Sequence, residues 1–191
     1  MSFIILGWFA VAAFYAPAPV MFFLIVVLMA ALAGFLFYNI RAPWRRRASV
    51  FLGDAGSMAL GLVIAWFALS MGAEAGRMIE PIAVAWILAV PIMDECAQFY
   101  RRVRAGRHPF SPDRGHFHHH FIDAGFSVGR STVCVLALSC VTGAIGYCGI
   151  WIGVPQIILT LGWIFLLLLH MVLTDKVDFY VTVLRRFKDK I

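Results

Sequence analysis

Charge is scarce in this sequence, and the scarcity is uneven. Only 14% of the 191 residues are Asp, Glu, Lys or Arg, against about a quarter in a typical soluble domain. Met1–Ile40 contains none of them. Cysteine is sparse too: there are four, with no CxxC spacing, which excludes a disulfide scaffold. No basic stretch precedes the first apolar run, so the start does not read as a secretory signal. What fills the chain instead is hydrophobic: 62% of residues, with a mean hydropathy of +0.88. One small core cannot hide that much apolar surface. A soluble domain, a disordered chain and a collagen-like repeat are all excluded. An all-α, polytopic integral membrane protein is expected.

Charge-free runs mark the spans, since a helical crossing needs about 20 apolar residues. The first forty residues are too long for one crossing and are interrupted at Ala16-Pro17-Ala18-Pro19. Helices are therefore expected near 2–15 and 19–39. Further spans are expected near 55–73, 81–100, 131–149 and 155–173, the last two divided at Gly149, Gly153 and Pro155. Six crossings put both termini on one side. Fifteen of the sixteen Lys and Arg also fall on that side, in segments after the second, fourth and sixth helices, and Arg77 alone falls opposite. By the positive-inside rule the basic side is cytoplasmic. The expected organisation is one transmembrane domain over 1–174, with cytoplasmic loops near 40–54 and 101–130, then a basic tail over 175–191. Val177, Tyr180, Val181, Leu184 and Ile191 recur there at helical spacing among basic residues. That pattern suits an amphipathic helix on an anionic leaflet. The first helix, at 14 residues, is short for a crossing, as in a chain that begins partway through a helix.

Three places could carry chemistry. Asp54 lies in Phe51-Leu52-Gly53-Asp54-Ala55-Gly56-Ser57, where a cytoplasmic loop enters the third helix. A carboxylate there could serve a magnesium ion shared with substrate phosphates, or it could only cap the helix, with Ser57 and Gly61 forming a small-residue packing face. Five of the six histidines fall in one loop, at 108, 116, 118, 119 and 120, beside Arg107 and Arg114. Arginine and imidazole donors together favour phosphate, while clustered histidine is also a mark of zinc. Asp94 and Glu95 sit near the end of an apolar run, where ionisable groups are costly. They are expected to be structural, as an interfacial charge pair with Arg101 and Arg102 or as a support for the histidine loop. The cysteines, all within expected spans, are expected to be small core residues.

Val50-Phe51-Leu52-Gly53-Asp54-Ala55-Gly56-Ser57, followed by an apolar span, resembles the polyprenyl-phosphate N-acetylhexosamine-1-phosphate transferases, the family of MraY and WecA. Pro109-Phe110-Ser111-Pro112-Asp113-Arg114 and His116-Phe117-His118-His119 resemble the histidine loop of the WecA-like branch, and Pro91-Ile92-Met93-Asp94 and Ala124-Gly125-Phe126 fall where that family has similar residues. The resemblance implies Mg²⁺-dependent transfer of a sugar 1-phosphate, with N-acetylglucosamine 1-phosphate the expected group, from a UDP-sugar to undecaprenyl phosphate, with UMP released, at a bacterial inner membrane in cell-envelope glycan synthesis. It implies Asp54 as metal ligand and catalytic residue, His118 and His119 as catalytic residues, and His116 and Arg114 as substrate contacts. It implies no nucleic-acid partner. The acidic motifs that the family carries in two earlier loops do not occur here, so the chain resembles the C-terminal part of such an enzyme. That leaves two further readings: an inactive membrane protein that binds lipid or a partner half, and a zinc-dependent membrane protein.

Overall fold

The computed structural model describes residues 1–40, 49–73, 76–111 and 115–188. These residues form helices only, and they fall into two compact units, Met1–Val84 and Ala85–Ile191.

In the first unit, α1 (Ser2–Tyr15) and α2 (Pro19–Asn39) are joined by three residues. Pro19 is the first residue of α2, where its missing N–H costs nothing. Phe14 meets Phe22 across the turn, with ring centroids 5.8 Å apart. α3 (Gly53–Gly72) packs on α1. Leu6, Phe9, Ala13, Ile25, Phe67 and Met71 are buried in this unit. On α2 only Ile25 is buried, so almost all of its apolar surface faces outward, as lipid as solvent allows. The Asn39 carboxamide donates to Phe35 O and accepts from Val50 N–H.

α4 (Pro81–Ile87) and α5 (Ala89–Arg104) together occupy the expected fourth span, bent by 73° at Leu88. Pro91 accounts for the break: it has no N–H to give to Ile87 O, and its ring crowds that carbonyl. α6 (Phe117–Asp123) lies within the histidine loop, α7 (Val128–Trp151) and α8 (Gln156–Asp175) are long apolar helices, and α9 (Val177–Lys188) is the tail. The Ser127 hydroxyl caps α7 by accepting from Arg130 N–H. Two indoles join the start of this unit to α8: Trp86 Nε1 donates to Leu159 O and Trp163 Nε1 to Ala85 O. At the other end, Arg104 meets Asp175 at 2.6 Å.

All six expected spans are helical, with ends within a few residues of expectation. Four (α2, α3, α7 and α8) are singly long and apolar enough to cross a membrane, and the bent α4–α5 pair makes a fifth. α1, with 14 residues, falls short by itself. The cysteines are free, but Cys140 and Cys148 are exposed on α7 rather than core residues, and Cys96 and Cys134 are half-buried. The exposed pair faces what α7 presents to lipid, where a small apolar thiol is equally at home.

Candidate functional site: a carboxylate-held histidine helix

Asp94 organises the second unit's polar end. Its Oδ1 accepts from Phe117 N–H at 2.8 Å, and its Oδ2 lies 3.1 Å from His116 Nδ1. An ionised carboxylate only accepts, so Nδ1 carries the hydrogen and Nε2 is left for a ligand. Helix α6 has no side-chain cap of its own. Asp94, reaching across from α5, fills that role. The carboxylate therefore sets both the start of the helix and the tautomer of its first histidine. Of the two structural roles expected for Asp94, this is the support of the histidine loop. Arg101 donates to Gly115 O at 3.4 Å and the buried Arg102 to Pro109 O at 2.6 Å, so they hold the loop's backbone. A Cβ on Gly115 would collide with the Arg101 guanidinium. Glu95 points outward and is exposed.

The histidines divide by helical position. His116 and His118 stack with their rings 6.0 Å apart and 9° from parallel, and His118 and His119 are 4.2 Å apart. These three cluster at the start of α6. Lost hydration holds the His118 imidazole below its ordinary pKa, followed by the fields of His119 and His116, so at neutral pH it is uncharged and can accept as well as donate. His120 turns inward and is buried, its ring 5.3 Å from Tyr180. Burial, then Arg101, lowers its pKa. Burial also pushes the Tyr180 hydroxyl well up, with the Asp94 charge adding to it. His108 stands apart, accepting from Phe110 N–H at 3.3 Å. Arg114 lies outside the described residues.

Sequence spacing carried a signal for the inward turn of His120. Phe117, His120, Phe121 and Ala124 recur at i, i+3, i+4 and i+7, the pattern of a buried helical face. The helix then stops at Gly125, whose φ of 89° suits glycine. Gly125 N–H donates to Ile122 O and Phe126 N–H to Phe121 O, and the Phe121 and Phe126 rings meet at 5.4 Å. These bonds and this ring contact make a Schellman stop. A largely apolar cavity of about 160 Å³ lies against Phe117, with Met93, Thr142, Leu169 and His170 also on its wall.

Asp54 belongs to the first unit. Gly53, at φ 73°, turns the backbone into α3, and Asp54 falls in the first helical turn rather than ahead of it. The start of α3 has no side-chain cap, so the capping reading of Asp54 gives way to a carboxylate that is exposed at the helix's positive end. Ser57 donates to Gly53 O at 2.9 Å and, like Gly61, is exposed rather than packed. Among the described residues no three His, Cys, Asp or Glu are grouped to hold a metal. Asp54 offers one oxygen ligand, which fits a magnesium ion only if substrate phosphates and water supply the others.

The family model for glycosyl transferase family 4 matches residues 1–72, covering α1, α2 and the α3 entry with Asp54. Curated relatives named undecaprenyl-phosphate alpha-N-acetylglucosaminyl 1-phosphate transferase extend the likeness. The Haemophilus influenzae protein is 36% identical over 122 residues, 64% of this chain and 34% of that protein. The Pasteurella multocida protein is 31% identical over 143 residues, 75% of this chain and 40% of that one. The chain is thus similar to glycosyl transferase family 4 over its first 72 residues and to these transferases beyond them. The Escherichia coli K12 protein is 41% identical over 101 residues, 53% of this chain and 28% of its own length. The chain thus spans less than half the length of these curated relatives. No solved structure matches it.

Proposed function

We propose that this membrane protein takes part in moving N-acetylglucosamine 1-phosphate from UDP-N-acetylglucosamine to undecaprenyl phosphate, releasing UMP, at the cytoplasmic face of a bacterial inner membrane. The names of the relatives support the substrates. The observation that carries the reading is the Asp94-held cluster of His116, His118 and His119 at the start of α6. Phosphoryl transfer is mostly positioning and charge stabilisation. His116, its Nδ1 committed to Asp94, presents Nε2 to a phosphate oxygen of the donor. His118 and His119 bind the same diphosphate and steady the charge that builds on departing UMP, and Arg114 adds a contact. The apolar cavity beside Phe117 gives an isoprenyl segment a place next to them, since a void of this size holds a benzene-sized group. A magnesium ion, when bound, would supply charge neutralisation to substrate phosphate, and Asp54 is the residue that would hold it.

One carboxylate leaves the metal dependent on other ligands, so the isolated chain is expected to bind donor weakly and to turn over little. The test is UMP release with undecaprenyl phosphate, after co-expression with a polypeptide carrying the family's acidic motifs. Asp54→Asn should lower the Mg²⁺-dependent rate at least about tenfold without unfolding the chain, because Asp54 caps nothing. Full activity in Asp54→Asn would remove Asp54 from the machinery. Failure of every pairing to release UMP would overturn the transferase reading.

A further inference from the structure

The tail helix α9 has two working sides. One side carries Tyr180, Val181 and Leu184, with Lys188 at its end. Val181 and Leu184 pack on the Phe121–Ala124–Phe126 cluster, and the Tyr180 ring meets Phe117 at 6.3 Å and His120 at 5.3 Å. Arg185 reaches Asp123 O at 3.5 Å, and the Lys188 amine lies over Gly125. Of the apolar stripe seen in the sequence, Tyr180, Val181 and Leu184 are therefore turned to the histidine helix and not to lipid, while Ile191 lies outside the described residues. A different side faces out. Phe179 is 57% exposed and Val183 45%, four residues apart, with exposed Lys176 and Arg186 at the two ends of the same stripe.

Position adds to this. Lys176 is the sole residue between α9 and the membrane-length helix α8, and the Arg104–Asp175 pair joins the ends of α5 and α8 just before it. A helix that starts there starts at the bilayer surface. An outward stripe of two apolar side chains between two cations is complementary to an anionic headgroup layer over acyl carbon. We propose that α9 rests its Lys176–Phe179–Val183–Arg186 side on anionic lipid while its other side carries α6, so that lipid charge steadies the histidine helix. This does not depend on what the histidines bind.

The experiment uses the full chain in nanodiscs of phosphatidylcholine, with or without phosphatidylglycerol. A benzophenone amino acid replacing Phe179 should cross-link to lipid. A charge near such a surface shifts an equilibrium roughly fivefold, so phosphatidylglycerol should slow amide hydrogen exchange in α9 and α6 at least about fivefold. Lys176→Gln/Arg186→Gln, which leaves the Arg185 and Lys188 contacts intact, should lose that slowing while exchange in phosphatidylcholine stays the same. No lipid adduct at position 179, exchange indifferent to phosphatidylglycerol, or slowing that survives the double substitution would each overturn the proposal. None of these readouts involves UMP release, so the proposal can fail while the transferase reading stands.

Discussion

Removing the Asp94 carboxylate tests the centre of the site. Asp94→Ala deletes two acceptors at once, for Phe117 N–H and for His116 Nδ1–H. Hydrogen bonds to a charged partner are worth about 1.5–3 kcal/mol each. The Asp94–His116 contact is partly screened by solvent, with side chains 19% and 30% exposed, so the low end applies and the combined loss is about 2–4 kcal/mol. A loss of about 2 kcal/mol raises the open population of a local segment about 30-fold. Amide exchange across α6 should speed up by at least that factor, while α7 and α8 are unaffected. Asp94→Asn separates the two roles. The amide oxygen can still accept from Phe117 N–H, but the amide nitrogen must donate to His116 Nδ1, which moves the imidazole hydrogen to Nε2. Helix α6 should then exchange nearly as in the wild type, while ¹⁵N chemical shifts report the opposite His116 tautomer. Unchanged exchange in Asp94→Ala, or an unchanged tautomer in Asp94→Asn, would refute the assignment.

The histidines should separate by role. His118→Ala and His119→Ala should each reduce UMP release at least about tenfold in a folded protein, whereas His120→Phe, which fills the same buried site, should keep most of the activity. Because burial holds the His120 pKa below that of the unfolded chain, the unfolded state takes up the proton first as pH falls. Stability should therefore decline as pH drops below about 6.5, and thermal unfolding should show a shallower decline in His120→Phe. For topology, Ala105→Cys in a background without the four native cysteines should react with an impermeant reagent only after cells are permeabilised. Gly106 is a poor choice for that label, since its φ of 67° would strain any other residue.

The spans were legible because lipid demands long charge-free runs, and Lys and Arg interrupt them sharply. The break inside the fourth span was also written in the sequence, at Pro91, but hydropathy is blind to a missing N–H. Helix α6 was only half visible: Phe117, His120, Phe121 and Ala124 keep the spacing of a buried face, but seven residues make barely two turns and the N-terminus is capped from another helix. Asp94 is 22 residues from His116, a pairing that only the fold creates. The misplaced cap at Asp54 has a local cause: the left-handed turn at Gly53 starts the helix earlier than capping preferences suggest. The destination of the α9 stripe could not be read at all, because lipid and a neighbouring helix ask for the same apolar spacing.

The bend at Leu88 makes α5 a lever. Asp94 lies six residues beyond it, about 9 Å along the axis at 1.5 Å per residue. Swinging α5 by about 10° would carry Asp94 sideways by about 1.6 Å, more than the Phe117 N–H bond can stretch and survive. Arg101 and Arg102, farther out, would travel more and pull the carbonyls of Gly115 and Pro109 with them. The histidine cluster would then follow the lever as a body or lose its anchor. Its position would then depend on a backbone break at Pro91, within an apolar segment and remote in sequence from the histidines themselves.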